Sequence, residues 1–169
     1  SEAPQSLRKT LRGKLSEVEG ELEVDLGPTA LPDEVRQKLA SGAIRRVIVV
    51  GQGTAAVAGQ SLALMLEREV AGRVHVDAMP ATELSGFHLS SDMEDTLVVA
   101  ISQSGTTTDT NRTVDLVRER GALVVSVVNR RNSDLTDKSD GVLYTSDGRD
   151  VEMSVASTKA FCAQIAAGA

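Results

Sequence analysis

Segment 102–110 concentrates polar groups that can bind an anion. It reads Ser-Gln-Ser-Gly-Thr-Thr-Thr-Asp-Thr, so six of its nine residues carry a hydroxyl, and it lies between a predicted strand and a predicted helix. Hydroxyls and backbone N–H groups at a helix N-terminus can surround a phosphate without Lys or Arg. A helix cap needs only one hydroxyl, at Thr107 or Thr108, and leaves the first three polar residues unexplained. We therefore predict an anion site in this segment.

A second loop with chemical potential, residues 51–56, follows an earlier predicted strand and reads Gly-Gln-Gly-Thr-Ala-Ala. Its glycines allow a tight turn and a close backbone approach to a ligand, and the next helix offers partial positive charge. The pattern is also a dinucleotide fingerprint, G-x-G-x-x-A, and Asp77 is predicted to end the next strand, where an acid would bind a ribose. A nicotinamide dinucleotide and a purely steric turn are both retained as alternatives for this loop.

Other polar residues near predicted strand ends carry weaker signals. Residues 129–133 are predicted to form a loop and a helix N-cap, because Asn and Ser favour both. Glu152 is a candidate carboxylate for the cleft. Cys162 lies in an apolar helical run, where a small buried side chain is expected. Neither His75 nor His88 is placed for a Ser-His-Asp triad.

The composition excludes several classes of function. The chain has 169 residues, enough for one domain with a sizeable core. A net charge of −6 and an aromatic share of 2% argue against nucleic-acid binding. One Cys and two His argue against a metal site. No apolar run is long enough for a membrane span, so we expect a cytoplasmic protein without metal or membrane contact. The chain begins with Ser and ends in an apolar run, which suggests a piece of a longer protein.

The elements that must position these loops follow from hydrophobic periodicity. Helical spacing predicts an amphipathic helix from Ser6 to Val18, and a second, short helix is predicted to open at Pro32. Short apolar runs then predict strands, which alternate with helices predicted at 55–69, at 107–120 and from about 155. The five predicted strands are 47–50, 74–76, 97–101, 123–128 and 142–144. This alternation predicts an α/β fold of three layers around a doubly wound, parallel five-stranded sheet. We expect residues 46–50 and 97–101 to form inner strands, residues 1–44 to be a helical lead-in, and residues 45–169 to be the ligand-binding domain.

Two motifs together resemble a known family. The first is Ser-Gln-Ser-Gly-x-Thr-x-Asp-Thr at 102–110, and the second is Glu-x-x-Val-Ala-Ser-Thr-Lys-Ala-Phe at 152–161. Both resemble the sugar-isomerase (SIS) fold, and most closely the first half of the isomerase module of the glutamine:fructose-6-phosphate aminotransferases, which make glucosamine 6-phosphate. The resemblance spans nearly the whole chain and implies a flavodoxin-like SIS fold that binds a sugar phosphate. A regulatory phosphosugar sensor, another phosphosugar isomerase and an NAD-dependent oxidoreductase are the alternatives.

The resemblance also implies roles for individual residues. It implies phosphate binding by Ser102, Gln103, Ser104 and Thr107, sugar contact by Thr54, a sugar-lining role for Val155 and Ala156, and the start of the last helix at Ser157. The family's acid–base Glu, Schiff-base Lys and ring-opening His come from beyond this half. We therefore expect no catalytic residue and no cofactor here, binding without catalysis by the isolated chain, and a second SIS domain or a second copy as partner. Gln52, Ala55 and Thr106 depart from the family's pattern.

Overall fold

A computed structural model of the chain describes residues 3–146 and 158–168. Its strands and helices alternate from residue 46 onward, as the periodicity predicts. The elements are α1 (Ala3–Leu11), β1 (Leu15–Val18), β2 (Glu21–Val24), α2 (Gly27–Ala30), α3 (Asp33–Ala40), β3 (Arg46–Gly51), α4 (Thr54–Val70), β4 (His75–Pro80), α5 (Ala81–Glu83) with a following π-turn (Leu84–His88), β5 (Thr96–Ser102), α6 (Thr108–Arg118), β6 (Leu123–Val128), α7 (Asp134–Asp137), β7 (Gly141–Tyr144) and α8 (Thr158–Gly168).

The main sheet contains five parallel strands in the order β4-β3-β5-β6-β7. This arrangement confirms the predicted fold class and the inner positions of residues 46–50 and 97–101. All seven residues of β5, the central strand, are buried, because helices cover both faces of the sheet. A strand buried on both faces needs an unbroken apolar sequence, which is the pattern that Leu97–Ile101 shows.

Two hydrophobic clusters lie on opposite faces of the sheet. Val47 and Val49 of β3 pack in a cluster with Leu62 of α4. Ile48 and Val50, between and after them in the same strand, pack in the other cluster, which contains Val114 and Val117 of α6. Successive strand residues point to opposite faces, so α4 and α6 form the two outer layers, with the sheet between them.

The N-terminal segment differs from its prediction. The helix expected over Ser6–Val18 ends at Leu11, and residues 15–24 form an antiparallel hairpin of β1 and β2. Gly13 has a left-handed φ of +73°, which stops the helix. Glu19 and Gly20, with φ of +55° and +87°, form the two-residue turn between the strands, and positive φ at both positions is what a type I′ turn requires. The first 44 residues are thus helical only in part.

The helices otherwise begin and end within a few residues of the predicted bounds. The helix predicted at 55–69 is Thr54–Val70, and the one predicted at 107–120 is Thr108–Arg118. The helix predicted to open at Pro32 is Asp33–Ala40, with Pro32 at its N-cap. In the two described stretches of the chain, no helix combines the length and apolar character that crossing a bilayer requires.

The order of the strands places a crevice at one edge of the sheet. After β3 the chain adds β4 on one side, and it then returns to add β5 on the other side of β3. The direction of winding therefore reverses between β3 and β5. Ligands of open α/β sheets bind at such a reversal, beyond the carboxyl ends of the strands. The two loops that leave these ends begin at Gln52 and Gln103.

Candidate functional site

The loop after β5 orders its own polar groups with internal hydrogen bonds. Ser102 Oγ accepts the Gly105 N–H (3.0 Å). Ser104 Oγ accepts both the N–H (3.2 Å) and the hydroxyl (3.0 Å) of Thr106. A serine hydroxyl has two acceptor positions and one proton. Because the acceptor positions of Ser104 are used within the loop, the contribution that its hydroxyl can make to a ligand is the donation of its own proton.

Two carbonyl groups of this loop accept hydrogen bonds from residues that follow β6 and from α7. Gln103 O accepts the backbone N–H groups of Asn129 (3.2 Å) and Arg130 (3.3 Å), which directly follow β6. Gly105 O accepts the N–H of Leu135 in α7 (3.1 Å). These two acceptors, which would repel an anion, are therefore engaged by other parts of the chain. Because the N–H groups of Gly105 and Thr106 are used by Ser102 and Ser104, the donors for an anion are the hydroxyls and the first N–H groups of the helix that follows.

Asn111 holds the same loop from inside α6, and it is not among the residues predicted from the sequence. Its Nδ2 donates to Gly105 O (3.0 Å) and to Thr107 O (3.1 Å), and the residue is buried. The available signal was an Asn in a helix interior, where it is less favourable than most other residues. An Asn at such a position indicates a specific hydrogen bond made by its side chain.

Gly105 is required by both conformation and space. Its φ is +67°, and an added Cβ would lie 2.0 Å from Ser133 Oγ and 3.1 Å from Val128 Cγ2. No side chain fits between the loop and these residues without movement. Ser133 occupies the N-cap position of α7, which confirms the loop and N-cap predicted for residues 129–133.

The N-terminus of α6 lies directly after this loop. Thr107 occupies the N-cap position, but within the described ranges its side chain makes no capping hydrogen bond. Its hydroxyl instead lies 3.4 Å from Ser102 Oγ. The first N–H groups of a helix have no partner within the helix, and together they carry about half a positive charge. An anion beside Thr107 would thus meet hydroxyls and the positive end of α6.

The first loop lies beside the second at the same edge of the sheet. Val50 of β3 pairs with Ala100 of β5 in register, so the two loops leave adjacent strands, roughly 4.8 Å apart. Thr54 begins α4 and is exposed at this edge. An added Cβ on Gly51 would lie 2.7 Å from the carbonyl carbon of Ala55, so this glycine serves the close packing of α4 on the strand.

Asp77 does not lie where a ribose-binding acid would be needed, and its predicted position is wrong. The strand does not end at Asp77 but continues to Pro80, which pairs with Gly51, while Asp77 pairs with Ile48. The carboxylate is therefore three residues, about 10 Å, from the carboxyl edge. Its Oδ2 lies 2.8 Å from His75 Nε2 instead. A dinucleotide site at residues 51–56 would therefore lack the ribose-binding acid that Asp77 was predicted to provide.

Four of the predicted residues lie outside the described part of the chain: Glu152, Val155, Ala156 and Ser157. The described residues bring Ser102, Gln103, Ser104 and Thr107 into one loop, with Thr54 in the adjacent loop. Among residues 3–146 and 158–168, no three His, Cys, Asp or Glu side chains are grouped to hold a metal ion. The absence of a metal from the site stays a prediction.

The opposite edge of the sheet carries charged groups that neutralise one another. Asp95 lies 3.1 Å from an Arg45 nitrogen and 3.4 Å from an Arg46 nitrogen. Burial by itself raises the pKa of Asp95, but the hydrogen bond from Thr96 and the charges of Arg46 and Arg45 outweigh it and lower this pKa below its usual value. These arginines are paired at the amino ends of the strands, so they are not available to an anion at the carboxyl ends.

Comparison with known proteins matches the chain to one family. The SIS domain family matches residues 43–169. The isomerizing glutamine–fructose-6-phosphate aminotransferase of Corynebacterium efficiens is 39% identical over 165 residues, which cover 97% of this chain and 24% of that protein. Its counterpart from Symbiobacterium thermophilum is 40% identical over 167 residues, covering 98% and 25%. The chain thus spans about a quarter of the length of these relatives.

A solved structure shows the same architecture over almost the entire chain. It is the C-terminal domain of glucosamine-fructose-6-phosphate aminotransferase from Francisella tularensis, with a TM-score of 0.77 and 27% sequence identity. The match covers 99% of this chain and 43% of that domain. The segment before residue 43 is therefore included in the structural similarity.

Proposed function

This chain belongs to the SIS domain family, and from that premise we propose that it binds the phosphate group of a sugar phosphate at the loop Ser102–Thr107. The observation that carries the proposal is the arrangement of this loop. The carbonyls of Gln103 and Gly105 are bound by residues that follow β6 and by α6 and α7. The hydroxyls of Ser102 and Thr107 lie together at the N-terminus of α6, at the winding reversal of the sheet. The net charge of −6 does not oppose binding, because the field of a helix N-terminus is local.

We propose fructose 6-phosphate and glucosamine 6-phosphate as the sugar phosphates. The names of the relatives that match the chain support this choice, and Thr54 in the adjacent loop would contact the sugar. The full-length protein would be an aminotransferase and isomerase that makes glucosamine 6-phosphate. The chain alone would bind its ligand without turnover, and neither metal nor cofactor is required for this step.

Calorimetry on the wild-type chain and two variants tests the proposal. Ser104→Ala removes a hydroxyl that can donate its proton to the ligand, and hydrogen bonds to ions contribute about 1.5–3 kcal/mol. We therefore expect affinity for both sugar phosphates to fall by roughly tenfold or more. Ser41→Ala is the matched control, because this exposed Ser lies at the C-cap of α3. Unchanged affinity in Ser104→Ala would remove the loop from the binding site.

The ligand series separates the alternative functions. An NAD-dependent oxidoreductase would bind NAD at residues 51–56, and Ser104→Ala would leave that affinity unchanged. A regulatory sensor or another phosphosugar isomerase would use the same loop with a different preference among sugar phosphates. Tight binding of NAD without binding of any sugar phosphate would reject the proposal in favour of the oxidoreductase.

A second SIS domain or a second copy of the chain is the proposed partner, and the cytoplasm is the proposed location. Val57 and Leu64 on α4 are 51% and 62% exposed, and two helical turns separate them. The last helix, α8, packs against α1 and α4 and is only partly buried over most of its length. Sedimentation at high micromolar concentration should show self-association that Leu64→Glu weakens. If the wild-type chain were a monomer under these conditions, the proposal of a second copy as partner would be contradicted.

The division of the chain into a lead-in at residues 1–44 and a binding domain at 45–169 is also proposed. The family match begins at residue 43, which supports the boundary. The lead-in still packs on the domain, since α1 contacts α8 and Thr10 Oγ1 accepts the N–H of Ser146 (2.9 Å).

A further inference from the structure

Asn111 links α6 to the loop that precedes it. The residue is 7% exposed, and its side-chain amide nitrogen lies 3.0 Å from Gly105 O and 3.1 Å from Thr107 O. The two carbonyl acceptors determine the orientation of the amide, because only the NH2 group can donate to them. The backbone N–H of Asn111 donates to Thr107 O as well (3.0 Å).

Neither helix propensity nor core packing accounts for an Asn at this position. Asn is a poor residue for a helix interior, and among the described residues Asn111 Oδ1 is buried without a hydrogen-bond partner. An unsatisfied buried acceptor costs free energy, so the presence of this amide needs an explanation. The hydrogen bonds that the amide does make all go to carbonyl groups of the loop, which indicates that they serve to order the loop.

The planarity of the peptide bond converts these contacts into an effect on the site. In a trans peptide the C=O and the next N–H point in opposite directions. Together with the Leu135 N–H, the Asn111 amide holds Gly105 O and so directs the Thr106 N–H, which donates to Ser104 Oγ. By holding Thr107 O, the same amide directs the N–H of Thr108. These two N–H groups lie in the loop and at the first residue of α6.

We propose that Asn111 is a positioning residue for anion binding: it aims the Thr108 N–H at the phosphate and, through the Thr106 N–H, fixes the Ser104 hydroxyl that donates to the phosphate, without contacting the ligand itself. This inference rests on the proposed function of the loop. It gives Asn111 a role in affinity that differs from a contribution to core stability, and the two can be measured separately.

The test compares Asn111→Leu with Thr113→Val. Thr113 lies on the same helix, is fully buried, and donates its hydroxyl proton to Ala81 O (2.8 Å) and Asp109 O (2.8 Å), away from the loop. Both variants lose buried hydrogen bonds, so urea unfolding should show destabilisation in each. Affinity for fructose 6-phosphate should fall by about tenfold or more only in Asn111→Leu. Backbone amide spectra of the ligand-free protein should show shifted Thr106 and Thr108 resonances in that variant alone.

Asn111→Asp is the second variant, because it keeps the shape of the side chain if Asn111→Leu does not fold. Its carboxylate has no proton for Gly105 O or Thr107 O, so affinity relative to wild type should be lower at pH 7.5 and should recover in part at pH 5.5. Wild-type binding together with unchanged affinity in the Asn111 variants would overturn the positioning role and leave the proposed function intact. A wild-type chain that binds no sugar phosphate would overturn both.

Discussion

Replacing Gly105 by Ala should destabilise the chain more than the same change at another glycine of similar conformation. At φ of +67° a Cβ costs about 1–2 kcal/mol. The added Cβ would also lie 2.0 Å from Ser133 Oγ and 2.6 Å from Ser133 Cβ, and overpacking of this kind costs about 1–3 kcal/mol. We therefore expect Gly105→Ala to lower the free energy of unfolding by about 2–5 kcal/mol.

Gly42→Ala separates the two contributions. Gly42 has φ of +75°, and an added Cβ would meet no atom within 4 Å, so this variant should lose only about 1–2 kcal/mol. Urea unfolding of both variants, with calorimetry of sugar-phosphate binding, measures the difference. Ser133→Gly in the Gly105→Ala background should recover part of the stability. If Gly105→Ala proved no worse than Gly42→Ala, the tight fit of the loop against α7 would be refuted.

Three further predictions concern the sheet edges. Because its pKa is lowered in the folded chain, Asp95 stabilises the fold above about pH 4 and loses this effect as pH falls through the folded pKa. Asp95→Asn should therefore reduce the loss of unfolding free energy at acid pH, measured by urea unfolding. An unchanged pH dependence in this variant would contradict the prediction. Gly51→Ala would place a Cβ 2.7 Å from the backbone of Ala55 and should lower the free energy of unfolding by about 1–3 kcal/mol. If this variant unfolded at the same temperature as the wild type, the close packing of α4 on the strand would be excluded. Thr54→Val should weaken sugar-phosphate binding by about two- to tenfold and leave inorganic phosphate unaffected; an equal loss for both ligands in calorimetry would place Thr54 on the phosphate instead.

The sheet could be predicted from the sequence because its strands are buried on both faces. Runs such as Leu97–Ile101 contain no polar residue, and a parallel inner strand is the structure that buries such a run completely. The loop positions then follow, since the carboxyl ends of parallel strands share one edge. The anion site could be predicted for a different reason. The segment after β5 contains more hydroxyl residues than a single helix cap needs.

The features that were missed depend on contacts distant in sequence or on local backbone geometry. Leu7, Leu11, Leu15 and Val18 satisfy helical spacing, but Gly13 adopts a left-handed φ and the chain turns into a hairpin. Strand β4 extends past Asp77 because its pairing with β3 continues to Pro80. The role of Asn111 depends on carbonyl groups of a loop four to six residues earlier, whose directions no sequence pattern specifies.

Amide chemical-shift titration of the isotope-labelled chain tests the central claim most directly, since it locates even a weak binding site. Fructose 6-phosphate and inorganic phosphate should shift the amide resonances of residues 102–110, whereas fructose without phosphate should leave them in place. NAD should produce no comparable shift at residues 51–56. Shifts confined to residues 51–56, or to Arg45 and Arg46 at the opposite edge of the sheet, would contradict the proposal that the Ser102–Thr107 loop binds the phosphate of a sugar.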